Sequence, residues 1–177
     1  MKIKKTKFKD LLIVEQKNNV DNRGSLRETF NDKILKKKFI FEYCTTSKKN
    51  VFRGFHFQVK NKQSKYVNVV KGKILDVVID LRKNSKTFGR IFSIILSKKN
   101  ALGLFIPAGF AHAYYSYDKE NVIYYKLDNY YTPKFESGII YNDATINFKW
   151  PNKKMIVSKK DKNLPSFLAF KKKIKYI

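Results

Sequence analysis

Apolar residues along the chain fall into short runs that are separated by turn-forming residues, a pattern typical of β-strands. From residue 65 onward, runs rich in Val, Ile, Tyr and Phe recur about every 8 to 12 residues, which predicts an antiparallel β-sandwich or barrel. The predicted strands are 65–70, 73–81, 90–96, 102–106, 112–117, 121–127 and 138–141.

Helical signal is confined to two short segments, residues 31–38 and residues 164–173. No repeat or linker divides the chain. We therefore predict a single domain over residues 1–177, with a strand-rich core at about 21–150 and a C-terminal segment at 151–177.

Four polar residues interrupt otherwise apolar predicted strands, and each is a candidate for chemistry inside the barrel: His56, Lys65, His112 and Tyr125. Residues two apart on a strand share a face, so one face of each strand lines the interior. A histidine can exchange protons near neutral pH, although either one could equally be a hydrogen-bonded core residue. Lys65 could stabilise an anion or lie exposed at a strand edge, and Tyr125 could act chemically or only pack.

The chain is strongly basic, with 39 Lys and Arg against 14 Asp and Glu and a formal net charge of +25. Only five of the basic residues are arginines, the type that most often recognises phosphates and bases through two hydrogen bonds. The lysine excess is scattered along the chain. We interpret it as a compositional bias and do not expect nucleic acid as the partner, while a polyanion-binding barrel stays as an alternative.

Other classes are excluded by what the sequence lacks. No apolar run approaches the roughly 20 residues of a membrane span, and the N-terminus has no apolar signal region, so we predict a cytoplasmic protein without membrane contact. The single cysteine, Cys44, is expected to be a small buried residue. Two histidines cannot build a three-histidine metal site, and we predict no metal.

Two further segments allow a functional and a plain interpretation. Residues 21–28, DNRGSLRE, could bind a diphosphate through two arginines or form an exposed hairpin. Asp161, in SKKD, is by default a solvated loop carboxylate.

Taken in order, several motifs resemble the dTDP-4-dehydrorhamnose 3,5-epimerase family. The match runs from about residue 21 to residue 165 and rests on DNRGSLRE, VFRGFHFQ, QSKYVNVVKGKILDVVIDLRKNSKTFGR, LFIPAGFAHAYY, YYKLDNYYTP, NDATINFKWP and VSKKD. The resemblance implies a jelly-roll (cupin-like) fold, an isomerase without a cofactor, a nucleotide-diphospho-4-keto-sugar substrate and a homodimer joined by an N-terminal strand.

The resemblance also implies roles for individual residues. His56 falls on the catalytic base, Asp161 on its carboxylate partner, Lys65 beside the substrate's C4 oxygen, and Tyr125 on the opposite face of the sugar. Substrate-binding positions are implied for Arg23, Glu28, Arg53, Gln58, His112 and Tyr131, of which Tyr131 would stack on the base.

The implied reaction is inversion at C3, C5 or both, because a 4-keto group acidifies the protons on these carbons. A cation near O4 would stabilise the enolate, and a proton from the other face would complete inversion. A sugar-nucleotide 3,4-ketoisomerase on the same fold is the alternative enzyme, with RGFHFQ and Tyr125 arguing against it.

The segment before RGFH departs from the family pattern QxNxSxSxxGVL. Phe41 and Tyr43 stand where a Gln and an Asn are usual, Asn50 replaces a Gly, and Leu26 takes a position that is often aromatic. The nucleotide (dTDP, GDP or CDP) and the sugar (hexose or heptose) are therefore left open.

Overall fold

Two facing β-sheets and a separate hairpin make up the computed structural model, which describes residues 1–173. The first sheet has six strands, which lie side by side in the order β1 (Lys2–Lys5), β2 (Leu12–Glu15), β10 (Leu102–Ile106), β7 (Lys65–Lys71), β12 (Glu120–Leu127) and β5 (Phe41–Lys48). The second sheet runs β13 (Glu136–Gly138), β6 (Val51–Gln58), β11 (Phe110–Ser116), β8 (Lys73–Asp80) and β9 (Ile91–Ser97), and β14 (Ile156–Val157) pairs with β6. The hairpin is β3 (Lys17–Asp21) with β4 (Gly24–Glu28).

Every strand pair within the described residues is antiparallel except β14 with β6. Within residues 1–173, three short helices connect or cover the sheets: α1 (Asp32–Leu35), α2 (Lys159–Lys162) and α3 (Phe167–Lys173). A 3-10 turn spans Pro133–Phe135. This is the predicted jelly roll.

The core between the sheets is built from the inward faces of strands on both sides. Val67 and Ile123 of the first sheet meet Ile74 and Val78 of the second in one buried cluster. A second cluster covers the outer face of the second sheet, where Phe52 and Phe55 pack under the C-terminal segment. The cavity between the sheets thus lies on one face of β6 and the C-terminal segment covers the other.

The strand predictions from residue 65 onward are confirmed to within two residues at each end for six of the seven runs. The seventh, 138–141, overlaps β13 only at Gly138, although Ile139 still exchanges backbone hydrogen bonds with Phe55. The two predicted helices exist in shortened form as α1 and α3.

Strand pairing also extends beyond the predicted limits. The first sheet begins at β1, ahead of the predicted core boundary at residue 21. Both β1 and β2 are only four residues long, too short for their alternation to stand out from a lysine-rich background. The last part of the predicted C-terminal segment, residues 174–177, lies outside the described residues.

The prediction of a buried Cys44 is wrong, because the residue is exposed. It lies on β5, an outer strand of its sheet, where most side chains face solvent. Within residues 1–173, none of the helices has the length and apolar character needed to cross a membrane.

Candidate active site

A cavity of about 480 Å³ opens between the two sheets. Residues of the second sheet form one wall, residues of the first sheet the other, and α2 closes one side. The predicted site residues that line it are His56, Arg53, His112, Lys65, Tyr125 and Asp161.

His56 and Asp161 form a hydrogen-bonded pair at the cavity wall. His56 Nε2 lies 2.7 Å from Asp161 Oδ1, and the second carboxylate oxygen accepts the backbone N–H of Gly54 at 3.3 Å. Ser158 caps α2 by accepting the backbone N–H of Asp161 at 3.0 Å, which fixes the start of the helix that carries the carboxylate. A carboxylate held this way fixes the histidine tautomer and leaves Nδ1 free to act as a base.

Burial of Asp161 acts to raise its pKa, but the hydrogen bond and charge of His56 and the N–H of Gly54 outweigh burial, so the pKa lies below its ordinary value. The interpretation of Asp161 as a solvated loop carboxylate is therefore wrong. Asp161 is only 3% exposed and is the buried residue of α2. Its neighbours in the sequence are lysines, so burial could not be predicted from the local pattern.

A bulge at Gly54 gives His56 and Arg53 a common face. On β11, His112 pairs with His56 and Tyr114 pairs with Arg53, so two residues of β6 lie opposite one of β11. Gly54 has φ +127°, and a Cβ there would lie 2.5 Å from the Ala113 side chain. Strict alternation would place side chains three apart on opposite faces. The bulge instead turns both into the cavity.

A second histidine and carboxylate pair lies deeper between the sheets. His112 Nε2 is 2.8 Å from Asp76 Oδ2, and Asp76 is fully buried with no hydrogen-bond partner for Oδ1 among the described residues. The His112 ring contacts the Tyr125 ring edge to face, with centroids 6.1 Å apart. Asp76 was not predicted as a site residue. Its position inside the apolar run ILDVV, in a chain with few acidic residues, could have indicated a buried carboxylate.

Lys65 and Tyr125 contribute the first sheet's polar groups. Lys65 makes no ion pair with any residue of the described chain, and burial lowers its pKa to about 8, against the raising influence of Glu136 and Asp76. Lys65 is only partly exposed and lines the cavity, so the interpretation of an exposed strand-edge lysine is wrong. Tyr125 is buried, and burial raises its pKa well above the ordinary value. A poorly solvated cation and a protonated phenol thus face the same cavity.

Glu136 lies between Tyr131 and His56 and was not predicted as a site residue. Its carboxylate accepts hydrogen bonds from the Tyr131 hydroxyl and from Lys160 Nζ, and it lies 4.0 Å from His56 Nδ1. Burial acts to raise the pKa of Glu136, but Lys160, Tyr131 and His56 together lower it. Hydrogen bonding to Glu136 raises the pKa of Tyr131 to about 12. No spacing in the sequence connected this acid to His56.

Four of the predicted site residues lie outside the cavity lining. Tyr131 is half-exposed beside Glu136. Gln58 is buried, and its amide accepts from the Thr132 N–H and donates to the Tyr130 carbonyl, so it holds the loop that carries Tyr131. Arg23 lies on the exposed hairpin and pairs with Asp21 at 2.7 Å.

Glu28, the fourth, ends the hairpin and accepts from the Asn31 amide at 2.7 Å. Of the four departures from the family pattern, Tyr43 lines the cavity and packs against Tyr125, with ring centroids 5.3 Å apart. Phe41 packs against Tyr43.

The protein is therefore a jelly-roll protein whose cavity holds a histidine–carboxylate pair, a lysine and a buried tyrosine. Comparison with known proteins identifies its family. The family profile of dTDP-4-dehydrorhamnose 3,5-epimerase matches residues 5–169. The chain belongs to the dTDP-4-dehydrorhamnose 3,5-epimerase family and is an isomerase.

Curated relatives and solved structures agree with this assignment. The dTDP-4-dehydrorhamnose 3,5-epimerase of Methanothermobacter thermautotrophicus is 38% identical over 167 residues, covering 90% of each chain. The Bacillus anthracis enzyme, solved with TDP and pyrophosphate bound, is 35% identical with a TM-score of 0.90 and covers 93% of this chain and 98% of that one. The Legionella pneumophila enzyme, solved in complex with dTDP-4-keto-L-rhamnose, is 34% identical with a TM-score of 0.89, over 93% and 92% of the two chains.

Proposed function

We propose that this protein inverts C3 and C5 of a dTDP-linked 4-keto-6-deoxy hexose by proton abstraction and return, as a step of sugar-nucleotide synthesis for a surface polysaccharide. The observation that carries the proposal is the placement of a paired histidine and a buried tyrosine on opposite walls of one cavity. Inversion at carbon needs a base on one face and an acid on the other.

His56 Nδ1 is the base in this mechanism, since Nε2 is held by Asp161. It takes the proton next to the 4-keto group, and the electron pair moves to O4 as an enolate. Lys65, beside the cavity and without an ion-pair partner among the described residues, is the cation that stabilises the charge on O4. Tyr125 returns a proton from the other wall.

No change of oxidation state occurs, because one proton leaves each carbon and one proton returns. The reaction therefore balances without a redox cofactor. Arg53, an exposed cation of the cavity wall, and His112 are proposed to hold the sugar and its diphosphate.

Incubation with a dTDP-4-keto-6-deoxy hexose in deuterated water tests the proposal. NMR should show deuterium at C3 and C5 and formation of the epimer, and the His56→Asn variant should show neither. The same sugar linked to GDP or to CDP tests which nucleotide the protein accepts. Exchange without an epimer and with a carbonyl moved to C3 would identify a ketoisomerase, and no exchange on any sugar would refute the proposal.

We also propose that the active protein is a homodimer joined through the hairpin β3–β4. The hairpin pairs with neither six-stranded sheet, and it exposes two apolar side chains, Val20 at 73% and Leu26 at 75%. Exposed apolar groups on an extended hairpin favour burial against a partner. This arrangement would bring Arg23 of the hairpin to a partner's cavity.

Light scattering should give twice the 20.9 kDa chain mass, and Leu26→Asp should shift it toward that of one chain. Arg23→Ala should raise KM without changing the mass. A monomeric wild type with full activity would refute the dimer and leave the reaction untouched.

A further inference from the structure

Three hydroxyl groups, from Thr45, Ser47 and Tyr114, form a row between β5 and β11. Thr45 and Ser47 are two apart on β5 and share its inward face, and Tyr114 reaches them from β11 in the opposite sheet. Tyr114 Oη is 2.8 Å from Ser47 Oγ and 3.4 Å from Thr45 Oγ1. Tyr114 and Ser47 are 2% and 3% exposed, so bulk water does not compete for these groups.

The row begins at a group that can only donate. Arg53 Nε donates to Ser47 Oγ at 3.2 Å, and a guanidinium has no acceptor. The proton of Ser47 then has one acceptor among the described residues, the oxygen of Tyr114. Tyr114 in turn can give its own proton to Thr45. With this assignment every hydroxyl in the row donates away from Arg53, and each proton has an acceptor.

Tyr125 lies next to the Thr45 end of the row. Thr45 pairs with Ile123 on β12, two residues from Tyr125, and both Thr45 and Tyr125 line the cavity. Burial raises the pKa of Tyr125 well above its ordinary value, with Tyr114 and Asp76 adding to the rise, and the Thr45 hydroxyl acts in the opposite direction. A donor at this position stabilises the deprotonated form of a buried phenol.

We propose that Thr45, Tyr114 and Ser47 form a polarised hydroxyl chain, anchored by Arg53, that positions Tyr125 as the acid. This rests on the proposed function. In this arrangement Thr45 donates to the Tyr125 oxygen, which leaves the phenolic proton of Tyr125 to point into the cavity. When that proton passes to the enolate carbon, the O–H bond breaks, a C–H bond forms, and the phenolate keeps the Thr45 hydrogen bond.

The cycle then closes through water. The phenolate takes a proton from solvent and protonated His56 gives one back, so the net proton count is unchanged. The three hydroxyl residues act through Tyr125 and are positioning residues. Without the chain, the phenolate would form in a buried setting with no donor on its oxygen, and proton return would slow.

The experiment separates proton abstraction from proton return. Abstraction and return by His56 on one face put deuterium into recovered substrate, whereas return by Tyr125 forms the epimer. Thr45→Val keeps the side-chain shape and removes the last donor, and Tyr114→Phe removes the middle hydroxyl. For both variants we expect epimer formation to fall about tenfold or more at unchanged KM while exchange into substrate persists.

Rescue and control variants exclude a merely structural loss. Thr45→Ser restores a hydroxyl and should restore the exchange-to-epimer ratio. Tyr115→Phe is the matched control, because Tyr115 is the next residue on β11, is similarly buried, and hydrogen-bonds Asn50 outside the cavity lining. It should leave the ratio unchanged.

The outcomes distinguish this proposal from the proposed function. A wild type that neither exchanges nor epimerises refutes the proposed function itself. If the wild type is active but Thr45→Val shows the wild-type ratio of exchange to epimer, the hydroxyl chain is refuted. If Tyr114→Phe does not fold, the Thr45→Val and Thr45→Ser pair still decides, since Thr45 is only partly buried.

Discussion

The two histidine–carboxylate pairs of this protein have nearly the same hydrogen-bond length and different surroundings. His56 lies 2.7 Å from Asp161 and His112 lies 2.8 Å from Asp76. The His56 side chain is 27% exposed, whereas that of His112 is 5% exposed. Equal contact geometry therefore does not imply an equal role. Access to the cavity makes the first pair suited to proton exchange, and burial makes the second suited to holding position.

The two carboxylates also differ in the number of hydrogen bonds that they accept. Asp161 receives a second hydrogen bond from the Gly54 N–H, whereas Asp76 keeps Oδ1 without a partner among the described residues. Breaking the second pair would therefore leave a buried carboxylate with nothing to compensate it. We expect mutations of the first pair to act mainly on turnover and those of the second pair mainly on stability.

The largest expected effect is the loss of turnover in the His56→Asn variant. Removal of a general base lowers turnover by about 100-fold to 10,000-fold, and deuterium exchange at C3 and C5 by NMR should fall in parallel. His112→Asn is the comparison variant: because His112 is proposed to hold the substrate, KM should rise, whereas exchange at saturating substrate should persist. Equal loss of exchange in both variants would contradict the contrast between the pairs.

When stability is measured in place of turnover, His112→Ala should lose more than His56→Ala. It leaves Asp76 buried and unpaired, a loss of about 3–5 kcal/mol. His56→Ala leaves Asp161 with the Gly54 N–H and should lose about 1–2 kcal/mol. Urea unfolding followed by circular dichroism measures both, and a larger loss for His56→Ala would show that the burial difference does not govern stability.

Asp161→Asn keeps the shape of the side chain and removes the charge that fixes the His56 tautomer. We expect kcat to fall by about 100-fold with little change in KM, and Asp76→Asn to lower kcat by about tenfold or less. Steady-state kinetics on the same substrate compares them. If Asp76→Asn were the more damaging to kcat, His112 would be the base.

The smallest expected effect concerns Lys65, whose pKa responds to Asp76 of the second pair and to Glu136, which lies 4.0 Å from His56 of the first. Its pKa in the folded chain is about 8, below the ordinary 10.5. Between these values the unfolded chain binds more protons than the folded chain, so Lys65 makes stability rise as pH rises from 8 to 10.5. Relative to Lys65→Met, the wild type should gain about 2–3 kcal/mol of stability over this window.

The midpoints of urea unfolding at about pH 7.5 and about pH 10, which span most of this window, measure the gain. Lys71→Met, on the exposed end of the same strand, is the control that should show none. A constant difference between wild type and Lys65→Met would mean that Lys65 is solvated as freely as Lys71.

Much of the fold followed from the sequence because strand alternation is local. The run at 102–106 was predicted with its observed limits, since its apolar residues are bounded by a turn before and Pro107 after. The N-terminal strands were missed because four residues among lysines give no clear alternation. Cys44 was placed wrongly because strand composition does not reveal which strand lies at the edge of a sheet.

The amino-acid pattern was sufficient for the strands, the resemblance to the family and the identity of residues such as His56, Lys65 and Tyr125 that line the cavity. The pairings required the folded chain. Asp161 is 105 residues from His56, and only packing of the C-terminal segment on β6 buries it there. The bulge at Gly54 likewise turns Arg53 and His56 to one face against strict alternation. Local patterns fix which face a strand buries, whereas partners and bulges depend on which distant strand lies alongside.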